Sequence, residues 1–417
     1  MEGSKALDGL RVLELPGFVA GSFCTRLLAD LGAEVIGVEP PGKGNETRRR
    51  GPFRNDVPDI EGSALFLYLQ AGKLGITLDA AKAPGRKVLG ELLAQTDVLV
   101  VEDSPRNIAA LGLDLETLRR DFPRLVTAAI TPFGLSGPYC DYKAYYLNTF
   151  EAGGEGYTLP SDRANELYAD RQPVRMGSFA SEYSVGAATA VAVLACLFRR
   201  ENGGPGDYIE VSKQEVLLNL VRGPLAMYNM GVVLNRSSRT FPLGGLLLCR
   251  DGWVLLLPLN PRLWDRLMAA MGNPDWAKEE RFQYAYLAGT FRKPGDYTAE
   301  LYRAQHQANE YLQEWCARYT KEEITRIVQS AESCAGGVYD VEDILNSEQL
   351  QHRGFFTQVN HPVAGTVSHP VAPYLMARTP AGISRPAPVL GEHNELVYQR
   401  LGYGGAELAR LRREGAV

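Results

Sequence analysis

The chain has 417 residues, of which 45% are hydrophobic and 22% are charged, a composition typical of globular proteins and not of disordered or fibrous ones. Its 44 Lys and Arg residues against 49 Asp and Glu residues give a formal net charge of -5, so the chain lacks the basic excess of a nucleic-acid-binding protein. An anionic ligand must therefore be bound by local donors.

Strand-like and helix-like segments alternate along the first part of the chain. They are predicted strands at residues 10–15, 34–39, 75–78, 97–101 and 125–130, and predicted helices at 22–31, 84–95 and from 108 onward. Strand, tight turn, helix and strand in succession predict a parallel β-α-β unit with a right-handed crossover. Repetition of that unit predicts the α/β class, with a Rossmann-like, doubly wound large domain.

Beyond residue 134 the residue composition and the pattern of predicted elements change. Residues 134–182 are rich in Gly, Pro, Tyr and Asp and are expected to form long functional loops. The later predicted elements are helices at 183–201, 215–229, 261–271 and 297–330, a strand at 207–212 and a hairpin over 246–257 that turns at Asp251-Gly252. We expect a smaller α+β domain at 235–345, and a large domain formed by 1–225 and 346–417.

Cysteine and histidine usage narrows the possible chemistry. The six cysteines form no C-x-x-C pair, which argues for a reducing compartment and against structural zinc or disulfides. All five histidines lie at or beyond His306, so chemistry in the N-terminal region must use carboxylates, hydroxyls, thiols or backbone dipoles. The N-terminus lacks signal-peptide features and the apolar stretch 185–198 is too short to span a bilayer. We expect a cytoplasmic protein without a metal, a membrane or a nucleic-acid partner.

The first β-α turn, residues 16–22, reads Pro-Gly-Phe-Val-Ala-Gly-Ser. Small residues let the backbone approach a ligand, and the following helix N-terminus offers N–H groups to a phosphate or a carbonyl. Glu39 ends the next strand, near the position of the ribose-binding acid of Rossmann folds, but only Gly17 and Gly21 of the glycine fingerprint are present. These residues are therefore compatible either with a nucleotide-binding site or with a tight turn that has no ligand.

Glu182 precedes an alanine-rich helical segment. A carboxylate at a helix N-terminus is ordinarily a cap that the helix dipole stabilises. If the helix N-terminus lies in a glycine-lined crevice, the same carboxylate can act as a nucleophile that attacks a thioester and forms an acyl anhydride. Neighbouring N–H groups would then stabilise the oxyanion. The loop at residues 130–139 follows a strand directly and is placed to line such a crevice.

Short segments spread over nearly the whole chain share one known pattern. They are LDGLRVLEL (7–15), AGSFCTRLLADLGAEVIGVEPP (20–41), GKLGITLD (72–79), ITPFGLSGPY (130–139), RRENGGPGDYIEVS (199–212), CRDGWV (249–254), RGFF (353–356) and PAPVLGEHN (386–394). In content and order they resemble the CaiB/BaiF family, the family III CoA-transferases, which include formyl-CoA:oxalate and carnitine CoA-transferases.

The resemblance implies a fold, a substrate and a mechanism. It implies two interlocked ring-shaped chains, as a homodimer or as a heteromer with a homologous subunit that bears the catalytic Asp. Coenzyme A would enter as an acyl-CoA substrate, with a small carboxylic acid as its partner and without a metal. In this family an aspartate exchanges acyl groups through mixed anhydrides and an enzyme–CoA thioester. That aspartate lies four residues before the glycine that is equivalent to Gly186. In this chain the corresponding residue is Glu182.

The resemblance also implies a set of CoA contacts, from which this chain departs in places. The implied contacts are Phe18, Val19, Ala20, Lys73, Leu78, Glu102 and Lys143. Pro40 stands where family members can carry a basic residue after the second strand. Ala81 stands at the Lys of an L-D-x-K motif, and Glu102 at the Asn of a V-E-N-F segment. Loss of cationic and amide donors and gain of a carboxylate predict weaker binding of CoA. Aromatic-pocket candidates are Tyr145, Tyr146, Tyr157, Phe179 and Met176.

Several functions remain open on the sequence. Glu182 is the nucleophile of a CoA-transferase, or the chain is the non-catalytic partner in a heteromeric transferase of the succinyl-CoA:benzylsuccinate type. A racemase of the same family would need a His/Asp pair, and the corresponding segment, residues 144–148, has neither. An NAD-dependent dehydrogenase would need the missing central glycine of the fingerprint. A binding scaffold would hold no CoA in its cleft.

Overall fold

A computed structural model of the chain describes residues 5–159, 172, 174, 176–231, 243–288 and 298–417. The chain separates into two compact units. The first contains Met1–Leu159, Pro173–Leu234 and His352–Val417, and the second contains Pro160–Gln172 and Asn235–Gln351. The small domain expected at 235–345 lies within the range of the second unit.

A six-stranded sheet forms the centre of the first unit. Its strands are β1 (Arg11–Glu14), β2 (Glu34–Glu39), β3 (Leu74–Thr77), β4 (Val98–Glu102), β5 (Val126–Thr131) and β6 (Tyr208–Ser212). They pair in the order β3-β2-β1-β4-β5-β6, and every pairing is parallel. The predicted α/β fold class is therefore confirmed.

The strand order reverses between β1 and β4, which are neighbours although two strands separate them in the chain. In open α/β sheets, ligands bind beyond the carboxyl ends of the strands at such a reversal. Glu14 ends β1 and Glu102 ends β4, and both are buried. The topology therefore puts two carboxylates at the edge of the sheet where a ligand crevice is expected.

Helices follow the strands of the first unit. They are α1 (Val19–Asp30), α2 (Ala64–Gln70), α3 (Ala83–Leu93), α4 (Pro105–Ala110), α5 (Leu115–Asp121), α6 (Tyr146–Ala152), α7 (Glu155–Thr158), α8 (Ala180–Glu201), α9 (Lys213–Leu220) and α10 (Arg222–Asn229). Short 3-10 turns occur at Glu46–Arg49 and Arg54–Asp56.

Two sequence predictions in this region are wrong in detail. The helix predicted at 215–229 is divided into α9 and α10, because the backbone of Val221 leaves the helical region. The segment 134–182, expected to be loop, contains α6 and α7. Its residues 160–171, 173 and 175 lie outside the described part of the chain.

Hydrophobic side chains cover both faces of the sheet. Successive strand residues point to opposite faces, so Val12 and Val98 join one core while Leu13 and Leu99 join the other. Helices α1 and α8 pack together on the first of these faces. Gly186 of α8 permits this packing, because a Cβ atom there would lie 2.6 Å from the carbonyl oxygen of Ala20. The approach brings the first turns of α1 and α8 together.

The second unit contains a three-stranded antiparallel sheet in the order β7-β8-β9. Its elements are β7 (Gly245–Cys249), β8 (Gly252–Leu256), α11 (Pro261–Ala270), α12 (Tyr284–Ala288), α13 (Ala299–Cys316), α14 (Lys321–Ser330), β9 (Ala335–Val338) and α15 (Val341–Leu345), with 3-10 turns at Asp275–Lys278 and Glu280–Phe282. The predicted hairpin is present as β7 and β8. The single helix predicted at 297–330 is wrong, because Thr320 and Glu323 form a capping box that starts a new helix.

The C-terminal segment returns to the first unit. After α16 (Glu348–His352) it forms an antiparallel pair, β10 (Phe356–His361) and β11 (Gly365–Pro370), and then α17 (Asn394–Arg400) and α18 (Gly405–Arg413). The Thr77 backbone N–H donates to Asn394 Oδ1 at 2.8 Å, and the Tyr398 hydroxyl donates to the Thr77 carbonyl at 2.8 Å. Both chain ends therefore contribute to one α/β unit.

Helix α8 is the one described helix whose length and composition would allow it to cross a bilayer. In the structure it packs on α1 and buries two charged residues, Glu182 and Arg200. Length and apolar composition are also properties of a core helix, so the feature is weak evidence for a membrane span.

Candidate active site

A cavity of about 860 Å³ opens in the first unit beyond the carboxyl ends of the sheet strands. Its walls come from the segments that follow β1, β2, β4, β5 and β6, and from residues 142–149. Ile130 and Pro132 line it, so the loop that begins there reaches the crevice. The volume lies in the range of sites that hold cofactor-sized molecules.

The β1–α1 turn meets Glu102 at the base of this cavity. Oε2 of Glu102 accepts hydrogen bonds from the backbone N–H groups of Phe18, at 3.0 Å, and Gly21, at 2.8 Å. Gly17 allows the approach, because a Cβ atom there would lie 2.7 Å from the Cβ atom of Glu102. The N–H groups of Phe18 and Gly21, which the sequence predicted as donors to a ligand, are therefore occupied by a carboxylate of the protein.

Lys213 connects Glu102 to Glu182. Its Nζ atom lies 2.6 Å from Oε1 of Glu102 and 2.7 Å from Oε2 of Glu182. All three residues are buried. Burial alone would lower the pKa of Lys213, but the two carboxylates raise it above its ordinary value. Glu102, Lys213 and Glu182 are called the cavity cluster below.

Glu182 is 1% exposed and lies in the first turn of α8. Burial raises the pKa of Glu182 to about 7; Lys213 and the backbone N–H of Ala20 oppose the rise, whereas Glu102 adds to it. Among the described residues that line the cavity, Lys213 and Glu102 are present and Glu182 is not. The predicted nucleophile therefore lies behind Lys213 as seen from the cavity.

Sequence analysis missed Lys213, although a signal for it existed. The residue follows directly on the predicted strand at 207–212, and the carboxyl ends of parallel strands share one edge of a sheet. Glu102 ends another strand of the same sheet. A lysine and a glutamate at these two positions were thus placed to meet.

The predicted CoA contacts fall into three groups. Phe18, Glu102 and Lys143 line the large cavity. Leu78 lines a second cavity of about 420 Å³ beyond β1, β2 and β3, which shares Pro16 and Pro40 with the first.

Val19, Ala20 and Lys73 form the third group, and they line neither cavity. Val19 and Ala20 are fully buried, whereas Pro16, Gly17 and Phe18 of the same turn line the large cavity.

Lys73 faces the protein interior instead of the cavity. Its Nζ atom donates to Oε2 of Glu14 at 2.7 Å and to the carbonyl of Ser22 at 2.9 Å, and its side chain is fully buried. Glu14 also accepts hydrogen bonds from Ser22, Thr25 and Gln70. The structure does not support a CoA contact for Lys73, because its ammonium group is enclosed by partners from the protein.

Cations that the sequence analysis did not single out lie at the cavity wall. Arg49 and Arg50 line it together with Lys143. Arg49 donates to the backbone carbonyls of Lys43 and Gly44, while Arg50 pairs with Glu46. Arg49 and Lys143 have no carboxylate partner among the ion pairs of the described residues. Guanidinium and ammonium groups in such positions suit the phosphates of a polyanionic ligand.

Glu39 is unavailable as a ribose-binding acid. Arg48 holds its carboxylate in a two-point ion pair, with 2.6 Å from Nε to Oε2 and 2.8 Å from Nη2 to Oε1. The backbone N–H of Asn45 donates to the same carboxylate at 2.8 Å. The side chains of Glu39 and Arg48 are both buried, so Glu39 lacks the free carboxylate that a ribose-binding acid would need.

Aromatic side chains lie on one side of the cavity. Tyr145 and Tyr146 line it, and the ring of Phe179 contacts both Tyr146 and Phe18, with ring centroids 4.8 and 5.2 Å apart. Tyr157 and Met176 are exposed and are not among its lining residues. In the described part of the chain, no group of three or more His, Cys, Asp or Glu residues is arranged to hold a metal ion.

A cavity of cofactor size beyond the carboxyl ends of the strands, at the strand-order reversal of a parallel α/β sheet, is where such folds bind their ligands. The chain belongs to CoA-transferase family III, whose family model matches residues 7–394. The predicted family and the predicted enzyme class are thereby confirmed.

Named relatives and solved structures agree with this family. The chain is similar to the succinyl-CoA–D-citramalate CoA-transferase of Chloroflexus aurantiacus, 29% identical over 98% of this chain and 97% of that protein. It is also similar to a formyl-CoA:oxalate CoA-transferase of Bradyrhizobium, 29% identical over 99% of this chain and 98% of that protein. These relatives do not favour the non-catalytic partner, the racemase or the dehydrogenase.

The fold matches those of two solved structures. A family protein from Brucella suis superposes with a TM-score of 0.80 at 24% identity, over 95% of this chain and all of that one. Rv3272 from Mycobacterium tuberculosis gives 0.75 at 25% identity, over 94% of this chain and 99% of that one.

Proposed function

We propose that this chain transfers coenzyme A from an acyl-CoA thioester to a small carboxylic acid, with Glu182 as the nucleophile. The observation that supports it most directly is a buried glutamate at the first turn of α8, connected through Lys213 to the wall of a cavity of about 860 Å³ in a chain of CoA-transferase family III. A carboxylate nucleophile fits a site in which the nearest reactive groups are two glutamates and a lysine.

We place CoA across the two cavities that adjoin at Pro16 and Pro40. The nucleotide end would lie in the smaller cavity, against Leu78 and between Lys43 and Lys82, and the phosphates would meet Arg49 and Lys143. The pantetheine arm would then run along the larger cavity toward Lys213. This placement keeps Phe18, Leu78, Glu102 and Lys143 as proposed contacts, and omits Lys73.

The reaction divides one displacement into steps at Glu182. An ionised Oε atom attacks the thioester carbonyl of the donor, a C–O bond forms, the C–S bond breaks, and the CoA thiolate leaves. The thiolate then attacks the Glu182 carbonyl of the resulting anhydride, which releases the donor acid as its carboxylate and leaves a Glu182–CoA thioester. The acceptor carboxylate repeats the two steps in reverse order, so neither protons nor electrons are gained or lost overall.

The ammonium group of Lys213 is placed to stabilise the negative charge that develops on the thioester oxygen. The backbone N–H groups at the N-terminus of α1 already donate to Glu102 and Glu182. The ammonium of Lys213 lies between the two carboxylates and lines the cavity, so it is the donor that can face the thioester. Preorganised donors of this kind stabilise an oxyanion more than water does, because they need no reorganisation during the reaction.

We infer that the acceptor is a small dicarboxylic acid, because the named relatives act with citramalate or oxalate. We also propose that the enzyme works in the cytoplasm and assembles as a family-type dimer, with a second copy or with a homologous subunit.

The test is to trap the intermediate on the purified chain. Succinyl-CoA is added without an acceptor, borohydride reduces any Glu182–CoA thioester to an alcohol, and peptide mass spectrometry locates the change. We expect it on Glu182 in the wild type and nowhere in Glu182→Gln. We also expect Glu182→Gln to lower transfer to D-citramalate or oxalate on the order of 10⁴-fold, as expected when a covalent nucleophile is removed.

Glu201→Gln is the matched control, since Glu201 lies at the exposed end of the same helix. Unchanged transfer in Glu182→Gln would remove Glu182 from the mechanism. Transfer that appears only after a second protein is added would assign this chain the partner role.

A further inference from the structure

The cavity cluster joins three elements that are distant in the chain. Glu102 ends β4, Glu182 lies in the first turn of α8, and Lys213 is the first residue of α9. The two hydrogen bonds from Lys213 span 111 and 31 residues of sequence. The side chains of Glu102 and Glu182 are 6% and 1% exposed, and that of Lys213 is 10% exposed.

The charges in this cluster do not balance. Two carboxylates share one ammonium group, and each carboxylate has lost nearly all of its contact with water. A buried charge without a counter-charge is costly, so the ammonium of Lys213 is the main stabilising charge for both glutamates. Removal of Lys213 would leave two buried carboxylates without a counter-charge.

The two glutamates differ in how else they are bound. Glu102 is fixed by the N–H groups of Phe18 and Gly21 in addition to Lys213. Glu182 relies on Lys213 and on one backbone N–H, that of Ala20. Lys213 is therefore anchored by Glu102 on one side and directs the Glu182 carboxylate on the other.

We propose that Lys213 is the positioning residue of this enzyme: anchored by Glu102, it keeps the Glu182 carboxylate ionised and oriented for attack on the thioester. The inference rests on the proposed function of Glu182. Lys213 also lines the cavity, so a thioester that approaches Glu182 meets the ammonium group first.

The groups that face Glu182 come from every element packed around it. Lys213 reaches it from α9, Glu102 from β4 and the Ala20 N–H from α1, while Phe179 at the start of α8 contacts Tyr146 of α6. Burial and Glu102 raise the pKa of Glu182, and Lys213 lowers it. Replacement of Lys213 and replacement of Glu102 should therefore shift the ionisation of Glu182 in opposite directions.

The experiment measures kcat/KM against pH for the wild type, Lys213→Met, Lys213→Arg and Glu102→Gln. An ionised nucleophile predicts a rate that rises with pH through the pKa of Glu182, about 7 in the wild type. We expect Lys213→Met to move this rise by at least about one pH unit to higher pH and to reduce the rate near neutrality about a hundredfold. Lys213→Arg should restore most of the loss, and Glu102→Gln should move the rise to lower pH.

A purely structural role for Lys213 would lower thermal stability without moving the pH profile, and that result would overturn the proposal. So would shifts of the same sign in Lys213→Met and Glu102→Gln. If Lys213→Met fails to fold, Lys213→Arg and Glu102→Gln still test the anchor, because neither leaves two buried carboxylates without a counter-charge.

A second readout is independent of catalysis. Infrared spectroscopy follows the C=O stretch of protonated Glu182 as the pH is changed, with Glu182→Gln as the blank. Midpoints that move in opposite directions support the proposal even if the wild type transfers no CoA, in which case only the proposed function fails. Midpoints that stay fixed overturn it even if the wild type is active.

Discussion

The first unit buries two lysine–glutamate clusters at the same edge of its sheet, and they differ in charge balance and in access to a cavity. In the closed cluster, Glu14 at the end of β1 pairs with Lys73, which precedes β3. In the cavity cluster, Lys213 pairs with both Glu102 and Glu182. Both lysines are deeply buried, but only the second lines a cavity.

The closed cluster is balanced in charge and saturated with hydrogen bonds. Glu14 accepts from Lys73, Ser22, Thr25 and Gln70. Burial would raise the pKa of Glu14, but Lys73 and the hydroxyl donors lower it below its ordinary value. A carboxylate held in this way is stable as an anion and is a poor nucleophile, because every lone pair is occupied.

The cavity cluster has one carboxylate more than it has ammonium groups. Burial raises the pKa of Glu182 to about 7, and the second carboxylate, Glu102, adds to the rise that Lys213 opposes. A group that changes its charge near neutral pH beside a cavity is a candidate for chemistry. The comparison teaches that burial of a Lys–Glu pair does not itself indicate function; the charge balance and the access to a cavity distinguish the two clusters.

The largest expected effect is on stability, from breaking the closed cluster. Lys73→Met leaves Glu14 as a buried anion without its counter-charge, and we expect the free energy of unfolding to fall by about 3–5 kcal/mol. Urea unfolding followed by circular dichroism measures it. Lys87→Met is the control, because the Lys87 side chain is 73% exposed. A loss of similar size in both variants would contradict a special role for the Glu14–Lys73 pair.

The next expected effect is on the pH dependence of the free energy of unfolding, which should have opposite signs for Glu14 and Glu182. The pKa of Glu14 is lowered in the folded state, so its contribution to stability is present above about pH 4.5 and is lost as the pH falls through the folded-state value. The pKa of Glu182 is raised, so its contribution is present below about pH 4.5 and is lost as the pH rises toward 7.

Unfolding free energies of the wild type, Glu14→Gln and Glu182→Gln between pH 3 and 8 measure this difference, on a scale of roughly 3 kcal/mol for Glu182. We expect the wild-type advantage over Glu14→Gln to shrink on acidification. The stability of the wild type relative to Glu182→Gln should decline between pH 4.5 and 7. Parallel curves would mean that the two clusters do not differ as described.

The smallest effect tests how closely the cavity cluster is adapted to glutamate. Glu182→Asp restores the residue type that the family carries but withdraws the carboxylate by about one methylene, roughly 1 Å from Lys213 and from the reacting carbonyl. We expect kcat/KM for CoA transfer to fall about a hundredfold, or about 2.7 kcal/mol in activation free energy. Glu201→Asp serves as the control, and an unchanged or increased rate in Glu182→Asp would contradict the adaptation.

Much of the fold could be predicted from the sequence. The parallel sheet follows from alternating apolar strands and amphipathic helices, since both patterns are local and repeat at characteristic periods. The hairpin that turns at Asp251-Gly252 was also predicted correctly, because Asp-Gly between two apolar segments is a typical hairpin turn. The break at Thr320 was missed because a capping box interrupts a helix without disturbing the charge-rich pattern on either side.

The candidate site was only partly predictable. Glu182 was predicted from the order of the family motifs, and its catalytic role stays a prediction. Lys143, Leu78 and Phe18 lie at cavity walls. Their contacts with CoA stay predictions. Lys73 lies in a matching motif, yet its partner Glu14 is 59 residues away and encloses it.

The sequence by itself determined the class of this protein, an α/β chain of CoA-transferase family III. It also gave the prediction, still untested, that Glu182 is the catalytic carboxylate. Only the tertiary structure decided which charges meet. Hydrophobic periodicity spans a few residues, whereas the partners of Lys213, Lys73 and Arg48 come from other strands and helices. Coulomb interactions between buried groups depend on distances and solvent exclusion that exist only once the sheet has formed.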